Sequence, residues 1–176
     1  YPLKINDLIV TDLDPEYCHE KYTWCNDPDK AWLDLPCVGM AGDRFYRPLM
    51  TAGEQVKYDT CVLSVDPSGR GADETAVAAV ASYGGQLMVL ECVGLKGGYD
   101  PPVLEEIVKI AKRNKARLIL CEANLGGGMF SSLLKPYLSK SYRCPIEEVT
   151  HSTQKEKRIC DVLEPLLNQH SLILNR

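Results

Sequence analysis

Cys61-Val62-Leu63-Ser64-Val65-Asp66-Pro67-Ser68-Gly69-Arg70-Gly71-Ala72-Asp73-Glu74-Thr75 is the stretch whose reading decides the fold. Its first five residues form a largely apolar run of strand length, which stops abruptly at the Asp66 carboxylate and a cluster of turn formers. A second carboxylate, Asp73, stands at the head of another apolar run, Thr75-Ala76-Val77-Ala78-Ala79-Val80-Ala81. The loop between the runs is too short for a crossover helix, so the two strands are expected to pair antiparallel, with both acids at one end of the sheet. An acid at the tip of a buried strand is placed to meet a cation. Asp-Pro-Ser-Gly is also sound turn chemistry in its own right, and the stretch alone leaves both readings open.

Downstream, Gly84-Gly85 makes a tight turn into a third strand, Gln86 to Leu95, with Leu87, Val89 and Val93 on one face. Lys96 to Pro102 then breaks the sheet, and Asp100 followed by two prolines starts a helix with Leu104, Ile107, Val108 and Ala111 at helical spacing. That helix delivers the chain to Arg117-Leu118-Ile119-Leu120-Cys121, a strand that again ends in an acid, Glu122. Helix then strand implies a right-handed crossover and parallel pairing. The next unit repeats the logic. Asn124 to Gly128 leads into a helix from Met129 to Ser139 with Phe130, Leu133, Leu134 and Tyr137 on one face and Pro136 expected to kink it. Ile146 to Val149 is a fifth strand. His151-Ser152-Thr153 opens a last helix with Ile159, Val162, Leu163 and Leu166 expected to be buried and Pro165 expected to end or kink it, before the strand-like Ser171 to Asn175.

The expected class is therefore α/β, a mixed sheet in which an antiparallel three-stranded meander is followed by parallel strands and flanked by helices. If the strands ending at Asp66 and Glu122 are adjacent and parallel, their carboxylates stand side by side at the carboxyl ends, where open α/β sheets bind ligands. Such a donor set suits Mg²⁺ or Mn²⁺. Two such ions about 3.5–4 Å apart promote phosphodiester hydrolysis. Gly126 to Gly128 reads as a phosphate cradle at a helix N-terminus or as a flexible connection. Lys155, Lys157 and Arg158 read as contacts to DNA phosphate or as a solvated helix face, and Lys109, Lys112, Arg113 and Lys115 as a solvated face.

Residues 1–57 are less regular. Pro2, Pro15, Pro28, Pro36 and Pro48 punctuate short apolar patches, and aromatic anchors such as Trp24 and Trp32 suit a linker or wrapping segment; residues 58–176 form the domain. The chain of 176 residues reads as a piece of a longer polypeptide, starting at Tyr1 and truncated after Leu172-Ile173-Leu174. No run approaches the roughly 18 apolar residues of a membrane span and no signal peptide is evident, so a soluble intracellular protein is expected. Three of its 8 cysteines, Cys61, Cys92 and Cys121, sit in apolar runs, which favours a reducing compartment. Cys18, His19 and Cys25 lack the CxxC pairing of a zinc site. Charge is uneven: residues 1–95 hold 7 basic and 15 acidic residues, residues 96–176 hold 13 and 9. An acidic total does not exclude nucleic acid when the cations share a face.

Val65-Asp66-Pro67-Ser68-Gly69 through Asp73-Glu74-Thr75, Leu120-Cys121-Glu122-Ala123-Asn124, and Lys155-Glu156-Lys157-Arg158-Ile159 with Leu163-Glu164-Pro165 resemble the nuclease domain of phage large terminase subunits, the podophage type most. The similarity covers roughly residues 58–175, and the first segment resembles the connection to the terminase motor. The resemblance implies an RNase H-like fold and an endonuclease that cuts concatemeric double-stranded viral DNA during packaging. It further implies Asp66 and Glu122 as catalytic metal ligands, Asp73 as an accessory ligand, and Mg²⁺ or Mn²⁺ as cofactor. Implied partners are an ATPase motor domain of the same polypeptide, the portal and the small terminase subunit, in the host cell cytoplasm and without a membrane. The family pattern also expects a further catalytic aspartate beyond Asn175; Asp161, in the middle of the last helix, is the substitute on offer, with a salt bridge as its alternative role. No Gly-x-x-x-x-Gly-Lys-Ser/Thr loop occurs, so the chain holds no Walker ATPase. Two rival readings are a catalytically silent docking module of the packaging motor and an actin-like or sugar-kinase-like ATPase half-domain.

Overall fold

Alternation of buried and open positions builds the strands. In β4 (Thr60–Asp66), Cys61, Leu63 and Val65 point inward, and in β5 (Thr75–Tyr83), Thr75, Val77, Ala79 and Ala81 do so. A computed structural model describes residues 3–37, 39–69, 71–123 and 128–176. The remaining elements are β1 (Ile9–Thr11), β2 (Tyr17–Thr23), β3 (Met50–Lys57), β6 (Gln86–Leu95), α1 (Pro101–Arg113), β7 (Leu118–Glu122), α2 (Met129–Ser141), β8 (Ile146–Val149), α3 (Lys155–Asn168) and β9 (Leu172–Asn175). Seven strands share one sheet in the order β1-β9-β6-β5-β4-β7-β8, and β2 and β3 form a separate antiparallel pair. Consecutive β4, β5 and β6 are neighbours, as a meander requires, and β7 and β8 add in parallel beyond β4. This is the mixed α/β sheet expected of an RNase H-like fold.

The chain divides into two compact units. One contains residues 1–58, 82–88 and 152–176, the other residues 59–81 and 89–151. In the second unit α1 buries Val103, Leu104, Ile107, Val108, Ile110 and Ala111 and packs against α2, which buries Phe130, Ser131, Leu134 and Leu138. Asp100 and the two prolines occupy the N-cap and first positions of α1, where a missing N–H costs nothing.

Several expectations are corrected. The last helix starts at Lys155, with Gln154 as its N-cap, and residues 151–154 lie outside it. The helix α3 runs on past Pro165, which therefore does not end it, and α2 likewise spans Pro136. The carbonyls four residues earlier, which lose an N–H partner, belong to Ser132 and Asp161, both exposed residues open to solvent. In α3 only Leu167 is fully buried; Ile159 is 43% and Val162 61% exposed, while Leu163 and Leu166 are half-buried. Leu133 of α2 is likewise 38% exposed. The helical period marks a potential apolar face without saying that another element covers it.

Residues 1–57 are more structured than their prolines suggest. β1 pairs in parallel with β9, from the other end of the chain, with Ile9 opposite Ile173 and Val10 opposite Leu174. Trp32 donates its indole N–H to the Val10 carbonyl at 2.7 Å, while the guanidinium groups of Arg47 and Arg176 each lie 4.2 Å from its ring centroid. All eight cysteines are free. Among the described residues no helix is long and apolar enough to cross a membrane.

Candidate active site at the strand ends of β4 and β7

Parallel pairing sets Val65 opposite Cys121, so the next step of the register brings Asp66 opposite Glu122, the last residues of their strands. Both carboxylates are half-buried. β8 extends the same edge, with Glu148 opposite Cys121 and Val149 opposite Glu122. Strand alternation therefore assigns Asp66 and Glu122 to one face of the sheet and Val65, Cys121 and Glu148 to the other.

The connection after Asp66 is anchored from within. The Ser68 backbone N–H donates to the Thr75 hydroxyl oxygen at 3.0 Å, the two hydroxyls lie 3.2 Å apart, and the Thr75 hydroxyl donates to the Gly98 carbonyl at 3.4 Å. Thr75 is completely buried and Ser68 nearly so, whereas Asp73 is exposed in the coil before β5. Glu74 leans over Gly94, and its carboxylate occupies the position a side chain at Gly94 would need.

Charge accumulates at this edge. Burial pushes the Cys121 thiol above its usual value, a hydrogen bond with Ser131 pulls the other way, and the negative charges of Glu148, Asp66 and Glu122 raise it further. Sequence reasoning did not single out Glu148. Glu147 and Glu148 look equivalent until the register with β7 shows which lies beside Cys121. The Glu148 carboxylate packs on Gly128 at the head of α2, where a Cβ would come within 2.5 Å of its Oε1 and where φ is +93°. A helix N-terminus favours an adjacent anion. Gly126 and Gly127 lie outside the described residues.

The Asp66 and Glu122 carboxylates offer the hard oxygen donors that a divalent cation such as Mg²⁺ or Mn²⁺ prefers. Among the described residues no three His, Cys, Asp or Glu side chains are grouped to hold a metal. Asp66 and Glu122 are thus the acids that strand register brings together, and Asp73 is not gathered into a three-ligand cluster with them. In the other compact unit, Lys155 and Lys157 are exposed on the first turn of α3 and Arg158 is half-buried. Lys157 pairs with Asp161 at 3.5 Å, an exposed ion pair one helical turn apart.

Residues 65–172 match the family model for the ribonuclease H-like domain of the bacteriophage T7 terminase. The matched span contains Asp66, Asp73, Glu122 and Lys155 to Arg158. Over 174 residues the chain is 36% identical to the large terminase subunit of Enterobacteria phage T3, covering 99% of this chain and 30% of that relative's length. The manganese-soaked terminase nuclease domain of human cytomegalovirus is similar with a TM-score of 0.52 and 12% identity, over 68% of this chain and 65% of that one. The nuclease domain of the large terminase subunit of bacterial virus Sf6 matches over 57% of this chain and 42% of that one, with a TM-score of 0.42 and 15% identity. At 12% identity the cytomegalovirus match bears on the fold alone.

Proposed function

The chain belongs to the family of T7-type terminase ribonuclease H-like domains, and from that premise we propose that it is the metal-dependent endonuclease of a large terminase subunit, cutting concatemeric double-stranded viral DNA during packaging. The observation that carries this reading is the β4–β7 register, which aligns Asp66 with Glu122 at the carboxyl ends of adjacent parallel strands. Asp66 and Glu122 would hold Mg²⁺ or Mn²⁺, with Asp73 as an accessory ligand reached from the 67–74 connection. When bound, such ions supply a more acidic water and stabilise charge on the phosphate oxygens. The chain's own share is rigidity: β4 and β7 fix the two carboxylates, and the Ser68–Thr75 bonds restrain the connection that follows Asp66.

Lys155, Lys157 and Arg158 are proposed contacts to the DNA backbone. The working protein is proposed to act in the host cytoplasm beside an ATPase motor domain of its own polypeptide, the portal and a small terminase subunit. The chain spans 30% of the length of the T3 relative, so the test belongs in a protein of that full length. Nicking of supercoiled plasmid is expected with Mn²⁺ or Mg²⁺ and not with EDTA. Asp66→Asn and Glu122→Gln should each lower the rate by about a hundredfold or more, roughly 3 kcal/mol of transition-state stabilisation, with an unchanged circular dichroism spectrum. Retained cleavage in both variants would sink the assignment, and a wild-type protein inert with Mn²⁺ would favour a silent docking module.

A further inference from the structure

Within the second compact unit, a cleft of about 590 Å³ runs between α1 and α2. Its apolar lining comes from Val108, Pro136 and Tyr137, and three exposed lysines, Lys109, Lys112 and Lys140, stand around it with Glu105 as the one acid. Among the described residues, none of the three lysines has a carboxylate within ion-pair distance. The neighbouring cation is committed: Arg113 binds Glu91 at 2.7 Å and Glu106 at 3.2 Å. The helix α2 contains no acidic residue, and Leu133, one turn before Tyr137, is 38% exposed.

From this combination of an apolar slot and uncompensated cations we propose that the cleft docks an acidic polypeptide segment carrying one aromatic or large aliphatic anchor. The anchor enters between Val108, Pro136 and Tyr137, and its acidic flanks meet Lys109, Lys112 and Lys140. Two features favour a polypeptide over DNA. The volume falls in the range of a small-ligand pocket, roughly 300–1,000 Å³, which suits a side chain and not a duplex. The position is also remote from the catalytic edge. Gly128, against Glu148, marks the catalytic end of α2, and Lys140 lies about 18 Å further along at 1.5 Å per residue.

Fluorescence anisotropy of the 176-residue chain tests this, using a labelled short peptide of Asp and Glu around a central Phe. Saturable binding is expected, weakening as ionic strength shortens the Debye length from about 10 Å toward 3 Å. The triple variant K109E/K112E/K140E should bind about tenfold more weakly, and Tyr137→Ala about fivefold, with unchanged circular dichroism. Plasmid cleavage by the triple variant should match wild type, so this result is separable from the nuclease reading. No peptide binding, equal binding by the triple variant, displacement of the peptide by an equal concentration of short DNA duplex, or loss of cleavage in the triple variant would each overturn the proposal.

Discussion

Thr75 has no exposed surface, yet its hydroxyl accepts from the Ser68 N–H and reaches both the Ser68 hydroxyl and the Gly98 carbonyl. A buried polar group left without its partner costs about 1–3 kcal/mol. Thr75→Val keeps the shape and removes the acceptor, so it should lower stability by about 1–2 kcal/mol in urea melts. Because those bonds restrain the connection next to Asp66, the same variant should slow plasmid cleavage under conditions where it remains folded, and Thr75→Ser should recover most of the rate. Equal rates for all three proteins would show that the hydroxyl serves packing alone. At this scale legibility depended on contrast. Asp66 and Glu122 could be read because each ends an apolar run, whereas Thr75 looked like the first residue of a strand. Glu148 could not be told from Glu147 without knowing that β8 pairs with β7 and in what register.

Elements are joined by polar clamps as well as by apolar faces. Glu91 of β6 binds Arg113, the last residue of α1, and accepts from the side-chain amide of Asn114, the C-cap of that helix. The Arg113 hydrogen bonds hold the Glu91 carboxyl below its ordinary value of 4.5, against the opposing effect of burial. A depressed carboxyl stabilises the fold fully above its unfolded pKa and loses that contribution as pH falls through the folded value. Glu91→Gln should therefore cost about 1–2 kcal/mol at pH 7, allowing for the half-exposed Arg113, and the gap from wild type should narrow as pH drops below about 4.5. Urea midpoints at pH 7 and pH 3.5 read this directly, and a pH-independent gap would assign the loss to packing. Cys61 behaves in the opposite sense: burial, with Cys144 nearby, pushes its thiol to about 11, so it stays protonated at neutral pH. The order and type of β4 to β9 follow from apolar period and turn residues, and Asp100, Pro101 and Pro102 locate the start of α1. Burial was less legible. Ile159 and Val162 keep the helical period of a core face and are nonetheless open, since period reports which residues could be covered and contains no information about what covers them.

For the whole molecule, residues 1–57 carry the largest gap between sequence and structure. The segment reads as an appendage because its strands are short and the partner of β1 lies at the opposite end of the chain, beyond the reach of local pattern. In the structure it is integral to the first compact unit: Ile9 is 1% and Val10 3% exposed, Val10 accepts from the Trp32 indole, and Arg176 donates its backbone N–H to Thr11. Burying an aliphatic side chain of this size is worth roughly 1.5–3 kcal/mol, so removing Ile9 and Val10 forfeits about 3–6 kcal/mol, before the exposure of Ile173 is counted. Against a typical total of about 5–15 kcal/mol, that is a large fraction. Deleting residues 1–16 should lower the urea midpoint of the unit containing β9 and raise binding of a hydrophobic dye, while leaving the β4–β7 register, and the alignment of Asp66 with Glu122, in place. The deletion thus separates two roles for the segment. An unfolding free energy within about 0.5 kcal/mol of the intact chain would show that residues 1–16 contribute no more than a surface segment, because surface changes away from a core stay inside that range.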